Sequence, residues 1–279
     1  MSNRFALLIL VLLFVGCAVP TPKPVRTCPG KKTPDEAIAA LNSRLSKIAP
    51  LRASGQCLLS YHLDNKPHKE NFPVKLWINP PGEIYLQGDV AFDATGLVLG
   101  ANTDEFWFWL KPKEISSYWW GAWAQTGMSR RIPLNPMVLL EAFGAVGVSQ
   151  GDWSLTHANF DILWLHNEQG VLLKRIFIEP CDYVVAKIEY FDSSGAITAT
   201  AEFSGYKQIA EGYLVPESIQ IVVLSADGVE DSARISLTSV RPAQFNADQR
   251  RRLFVRPPPR GFDHVYEIID GEVVEQIIK

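Results

Sequence analysis

The chain opens on an unbroken apolar run, passes through a polar stretch rich in proline, shows one segment of helical periodicity, and then alternates for most of its length. The opening run, residues 5–15 (FALLILVLLFV), is too short to cross a bilayer as a helix, which takes about 20 residues. Between 34 and 48, Ile38, Leu41, Leu45 and Ile48 recur on one helical face, while Asn42, Arg44 and Lys47 point elsewhere. Thr33 is placed to cap this helix, Pro34 suits its first position, and Glu36 completes a capping box with Thr33. Pro50 ends it. From 51 the period shortens to two, predicting strands at 52–63, 73–79, 83–90, 94–101, 105–111 and 115–120. Turn-forming clusters separate them, among them Asp64-Asn65-Lys66-Pro67 and Asn79-Pro80-Pro81-Gly82. A second helix is predicted from Asn135-Pro136 to Gly144, apolar around much of its girth and therefore seeking burial. Further strands follow at 153–156, 160–167, 171–179, 184–192, 197–207, 215–224 and 233–240. This order predicts an α+β protein, predominantly β, built on a large curved antiparallel sheet. The last stretch, 247–279, starts with Arg250-Arg251-Arg252 and Pro257-Pro258-Pro259, reads as solvated and extended over 250–260, and ends in a short apolar strand-like piece.

The leader changes this picture. Arg4, the apolar run and a small residue at the cut describe a secretory signal. Phe14-Val15-Gly16-Cys17 resembles the bacterial lipobox, with Phe14 standing where leucine is usual. The resemblance implies cleavage between Gly16 and Cys17 and a diacylglycerol on the Cys17 sulfur, usually with a third acyl chain on the new amino terminus. Two or three chains hold a protein stably at a membrane where one does not. The expected organisation is a signal peptide at 1–16, lipidated Cys17 and a flexible tether at 17–33, a folded domain at 34–246, and a tail at 247–279. Losing the leader removes only Arg4 among charged residues, so the remainder is one unit more acidic than the −3 of the whole chain. Such a protein has no overall electrostatic reason to bind nucleic acid. At 47% hydrophobic residues the chain has ample material for a large core. Export permits a disulfide among Cys28, Cys57 and Cys181, but three thiols leave one over and the sequence does not choose the pair.

The order of elements resembles the LolA/LolB-like superfamily of bacterial envelope lipoprotein carriers. The matching pieces are the first helix leading into Leu51-Arg52-Ala53-Ser54-Gly55, then Lys75-Leu76-Trp77-Ile78-Asn79 with Pro80-Pro81-Gly82. Gly100-Ala101-Asn102-Thr103-Asp104-Glu105-Phe106-Trp107 and Leu110-Lys111-Pro112 follow, and then Asn135-Pro136-Met137-Val138-Leu139-Leu140 and Tyr213-Leu214-Val215-Pro216-Glu217-Ser218-Ile219. The resemblance covers about 34–245 and lies in the order and spacing of all these pieces. It implies a half-open antiparallel barrel of roughly eleven strands with a helical lid, holding acyl chains of lipoproteins or another amphiphile. It also implies an arginine beneath the lid, to which no arginine of this chain is assigned.

Candidate cavity residues are Trp77, Phe106, Trp107, Phe108, Trp109 and Trp119, and candidate lid residues are Met137, Leu139, Leu140 and Phe143. The 106–110 strand is apolar on both faces and so is covered on both. The competing reading makes all of these ordinary core. Trp120-Gly121-Ala122-Trp123 reads alternatively as a loop dipping into lipid. Chemistry is sparse. There is no Gly-x-Ser-x-Gly, phosphate loop or dinucleotide fingerprint, and His62, His68, His157, His166 and His264 are scattered. His62 and His68 straddle a turn without a supporting carboxylate cluster, and Asp161 with Glu179 is a weak candidate carboxylate pair. No cofactor, metal or enzymatic activity is expected. Arginines at 250–260 are candidates for contact with anionic lipid. The expected function is a membrane-anchored acceptor or localisation factor binding acyl chains or lipoproteins. It faces the periplasm, at the outer membrane on the strength of Ala18. The alternative is a non-catalytic envelope scaffold of the same fold that contacts another envelope protein.

Overall fold

The first helix, α1 (Pro34–Ser43), begins where Thr33 and Pro34 signal it, with the Thr33 hydroxyl accepting the Glu36 N–H at 3.2 Å. The capping box is only half made: the Glu36 carboxylate takes the N–H of Lys32, not of Thr33. Beyond Ser43 the chain tightens into a 3-10 turn over Leu45–Lys47, so the predicted helix ends earlier than Pro50. The computed structural model describes residues 28–63, 66–90, 93–112, 115–123, 135–224, 228–269 and 272–276. The signal run, Gly16, Cys17 and tether residues 18–27 lie outside the described residues.

Seventeen strands follow α1 among the described residues. They are β1 (Leu51–Leu63), β2 (Lys66–Asn79), β3 (Glu83–Val90), β4 (Asp93–Ala101), β5 (Glu105–Leu110) and β6 (Ser117–Ala122), then, after helix α2 (Pro136–Ala142), β7 (Asp152–His157), β8 (Asp161–His166), β9 (Leu172–Ile178) and β10 (Val185–Phe191). The chain continues through β11 (Ile197–Ser204), β12 (Lys207–Ala210), β13 (Tyr213–Val215), β14 (Ser218–Leu224) and β15 (Glu230–Pro242), then helix α3 (Ala247–Phe254), β16 (His264–Ile269) and β17 (Glu272–Glu275). Fifteen strands form one sheet in the order β17-β16-β6-β5-β4-β3-β2-β1-β15-β14-β11-β10-β9-β8-β7, and β12 pairs with β13 alone. The sheet is curled, and its outer strands β17 and β7 are not paired with each other. It is larger than the eleven-stranded barrel expected: β1–β6 with β7–β11, β14 and β15 already make thirteen strands, and the C-terminal segment adds two more at one edge. Its pairs are antiparallel except β16 on β6, which is parallel.

Two meanders make up this sheet, β1 to β6 and β7 to β15, and β1 joins them by pairing with β15 from Leu51↔Pro242 to Ser60↔Ser232. Alternation then sorts the residues. Phe72, Val74, Leu76 and Ile78 of β2 are buried on the concave face, while Lys75 points outward. Ile219 and Ile221 of β14 do the same from the other meander. These rows, with α2, form the main core.

Residues 247–269 and 272–276 are folded: the 250–260 stretch is not the extended tail expected, and the strand-like end is present as β16 and β17. Asn246 caps α3 in a complete capping box with Gln249, and Leu253 and Phe254 are buried. Arg250 pairs with Glu83 at 3.1 Å and Arg256 with Glu105 at 2.7 Å, so these basic side chains are spent on the domain's own carboxylates. The segment covers the convex face of β4 to β6, where Val98, Trp107, Trp109, Tyr118 and Val265 form a second core. Gly100 serves this core by having no side chain: a Cβ there would lie 2.1 Å from the Trp107 indole, which packs flat over it.

Cys28 and Cys181 form a disulfide, leaving Cys57 as a buried free thiol. The bridge spans 153 residues. Removing it relaxes the unfolded chain by about 5 kcal/mol in the loop-entropy account, with measured bridges nearer 2–4 kcal/mol. Reduction is therefore expected to lower the urea unfolding free energy by about 2–5 kcal/mol. Burial pushes the Cys57 thiol up to about 12, which keeps it protonated and unreactive. Oxidised protein beginning at residue 18 should give no reaction with Ellman's reagent when native and one equivalent when unfolded; a reactive native thiol counts against this pairing.

Candidate functional site

The helix α2 is set by its ends. Asn135 accepts the Met137 N–H at 2.9 Å and Pro136 takes the first position. Gly144 turns the chain out at φ +63°, its N–H bonding Glu141 O and that of Ala145 bonding Leu140 O. This paired closure needs a residue tolerant of the left-handed region. Val138, Leu139, Leu140, Ala142 and Phe143 are buried against the concave face. The chain after α2 is then held beside α1 by Asn42, whose amide donates to Val148 O at 3.1 Å and accepts its N–H at 2.7 Å.

Between α1, the 143–149 connection and strands β8 to β10, the side chains leave a cavity of about 350 Å³. Most of its wall is apolar: Leu41, Ile48, Phe106, Trp123, Met137, Phe143, Val148, Trp153, Leu165, Ile176, Val185 and Ile188. Of the residues singled out from sequence, Phe106, Met137 and Phe143 line this cavity. Phe108, Leu139 and Leu140 lie in the main core, and Trp119 packs against it between Phe108 and Tyr266. Trp107 and Trp109 lie on the opposite face of β5, in the second core, and Trp77 packs on Tyr85. Trp120 to Trp123 form no free loop. Trp120 lies in β6 with the Arg256 guanidinium 4.0 Å over its ring, and Trp123 packs on Phe106 and donates to Asn102 O at 2.8 Å.

Three charged side chains reach the wall. Glu141 of α2 pairs with Lys174 of β9 at 2.5 Å and accepts the Tyr190 hydroxyl at 2.6 Å. Burial, reinforced by the Glu141 charge, holds the Tyr190 hydroxyl well above its ordinary pKa, so it remains a donor. The third is Arg44, just past α1, which donates to Tyr183 O at 2.9 Å and Leu214 O at 3.4 Å. Burial lowers its pKa, opposed by Tyr206, Tyr213 and Asp182 nearby. Asn42 and Arg44 were assigned to the outer side of α1 by periodicity; both face the cavity wall instead. Glu141, Lys174, Trp153 and Tyr213 were missed, and periodicity carried no sign of them, because each sits in an ordinary strand or helix pattern.

The other candidates are occupied elsewhere. His62 pairs with Asp231 at 3.0 Å and His68 stacks on Tyr61. Asp161 accepts from Lys31 N–H and His157, whereas Glu179 accepts the N–H groups of Cys181 and Asp182. Asp161 and Glu179 therefore do not form a working pair. No group of three or more His, Cys, Asp or Glu side chains converges among the described residues.

No protein-family model matches the sequence, and no curated protein matches it by sequence. Solved structures do match in shape. A domain assigned as an outer membrane lipoprotein-sorting protein from Vibrio parahaemolyticus superposes with a TM-score of 0.50 at 13% identity, covering 76% of this chain and 93% of that one. A LolA superfamily protein from Nitrosomonas europaea gives 0.51 at 9% identity over 78% and 97%. A DUF1329 family protein from Desulfovibrio piger gives 0.51 at 14% identity over 78% and 97%. The chain has a LolA-like fold.

The Glu141–Lys174 pair fastens α2 to the sheet, and removing one member strands the other. Lys174→Met or Glu141→Gln alone should each cost about 3 kcal/mol in urea unfolding, while the double variant recovers most of that loss. Additive single costs in this cycle would mean that the two charges do not act as a pair.

Proposed function

We propose that this protein is a membrane-tethered carrier or acceptor that holds the apolar part of a lipid or lipidated protein in the cavity beneath α2. The observation that carries this reading is the apolar cavity of about 350 Å³ in a LolA-like fold. A scaffold with a filled interior would leave no such space, and cavities that take small ligands begin near 300 Å³. The driving force needs apolar walls and no reactive group. A methylene takes about as much room as a water molecule, whose share of the liquid is about 30 Å³, so the cavity accepts roughly a dozen carbons. At about 0.8 kcal/mol per methylene this is a gross attraction of about 10 kcal/mol. Freedom lost on association offsets several kcal/mol of it. The net hold is reversible, as a protein that hands its cargo on requires.

The lipobox-like Phe14-Val15-Gly16-Cys17 supplies the tether. In this reading Cys17 is acylated, the domain faces the periplasm from the outer membrane, and the protein receives cargo in place. In this reading the tether ends at Cys28 and not at residue 33, because the disulfide to Cys181 fixes the chain to the domain there. From Cys17 to Cys28 the eleven intervening peptide steps reach at most about 40 Å.

Native mass spectrometry of protein beginning at residue 18 tests the cargo: an adduct of amphiphile mass is expected. A ligand-free spectrum together with no uptake of an apolar fluorescent dye sinks the carrier reading. For the tether, Cys17→Ser should abolish incorporation of labelled palmitate and release the protein from the membrane fraction; persistence of label in the variant removes Cys17 as the acylated residue.

A further inference from the structure

The cavity's two ends differ in chemistry. At the α2 end, Lys174 and Glu141 neutralise each other. At the α1 end, Arg44 has only the carbonyls of Tyr183 and Leu214 as hydrogen-bond partners among the described residues, and one of those contacts is a long 3.4 Å. A guanidinium carries five N–H groups in a fixed fork, so three have no acceptor among the described residues. The nearby acid, Asp182, is exposed to solvent. Beside Arg44 on the same wall stands Tyr213, which is 2% exposed. Its hydroxyl is buried with no hydrogen-bond partner among the described residues. A buried hydroxyl without a partner is costly, and native proteins rarely leave one so. Burial raises the Tyr213 pKa, against the effect of Arg44, so the group is a neutral donor. Arg44 and Tyr213 thus stand on one wall of the cavity, apart from the Glu141–Lys174 pair, with donors that no acceptor among the described residues takes.

We infer that Arg44 and Tyr213 form a receptor for the carboxylate head of a single-chain amphiphile whose tail lies along Leu41, Val148 and Ile188. This rests on the carrier reading and narrows its cargo. One uncompensated positive charge matches one negative charge. A dianionic phosphate would leave excess charge in a poorly solvated site, and an ammonium would meet Arg44 as a like charge. Charged planar acceptors suit the guanidinium fork, and the hydroxyl supplies a second donor to the same oxygen pair. The volume sets the tail at a single chain, because roughly a dozen carbons fill the space.

Calorimetric titration of protein beginning at residue 18, which retains every described element, decides this. The probes are dodecanoate, dodecyl phosphate, dodecyltrimethylammonium and dodecanol, each below its micelle concentration. Dodecanoate should bind about tenfold more tightly than dodecanol, the equivalent of about 1.4 kcal/mol. Tyr213→Phe, which keeps the ring in place, should weaken dodecanoate about fivefold and leave dodecanol unchanged. Arg44→Gln should erase the preference for an anion, and Arg44→Lys should restore part of it. Equal binding of all four probes overturns the head-group assignment and leaves the cavity reading standing. So does unchanged dodecanoate affinity in Tyr213→Phe. Tighter binding of the phosphate or the ammonium overturns the choice of carboxylate. If none of the four binds, the carrier reading falls with it.

Discussion

The pairing of β1 with β15 is the contact on which the molecule is built. It joins residues 51–60 to residues 232–242, closing a longer loop than the C-terminal pairing of β16 with β6 does. Without it there are two meanders, each with one apolar face and nothing to set against it. With it there is one continuous sheet, and strand twist of roughly 20–25° per step accumulates across its width. Fifteen strands twisted in this sense curl the sheet until β5 and β6 on one arm face β8 to β10 on the other. That is why Phe106 and Trp123, from the first meander, share a cavity wall with Ile176 and Ile188, from the second. The concave face is wider than its own side chains can fill, so α1 and α2 close it. Where they fall short, space remains.

The same curl exposes a convex face, and here the aromatic content of the chain finds its explanation. Strand β5 reads Phe106-Trp107-Phe108-Trp109, apolar at every position, because both of its faces are covered. The inner pair belongs to the main core and the outer pair to the second. The second core depends on the C-terminal segment, which brings Val265 and Phe262 over Trp109 and Tyr118. Tyr118 donates to Pro257 O at 2.8 Å, and Asn102 donates to Phe254 O at 3.1 Å, tying α3 and its exit to the sheet. Tryptophan excess is therefore divided between two jobs, and only a part of it concerns the cavity.

The local elements were legible in the sequence because their causes are local. Alternation placed β1, β3 to β11, β14 and β15 within a few residues and found β2 only from 73, seven residues past its start at Lys66, and Asn135-Pro136 with Gly144 marked both ends of α2. What depends on distant partners was not legible. Asn42 and Arg44 look like solvent-facing positions on a helical wheel; their orientation follows from where Val148, Tyr183 and Leu214 carry their backbone groups. Ion pairs such as Lys174–Glu141 leave no trace in periodicity, since a lysine at one strand position and a glutamate on a helix are ordinary. The first part of the C-terminal segment departs from its expected extended form for a different reason. Its arginines and prolines suggested solvation, while the capping pair Asn246 and Gln249, a readable local signal, announced α3. The choice of Cys28 with Cys181 rested on a tertiary contact and was open until the fold brought the N-terminal stretch beside the β9–β10 turn.

That disulfide also determines how the domain bears load. The main-chain N–H of Lys31 donates to the Asp161 carboxylate at 2.8 Å and holds the same stretch, and α1 begins only at Pro34. A pull transmitted along the chain from before residue 28 therefore passes into the loop after β9 through a covalent link. It does not reach α1, whose turns would unwind under far smaller force. In the tethered arrangement proposed above, the wall of the cavity that α1 contributes, Arg44 included, is shielded from a pull on the residues before Cys28.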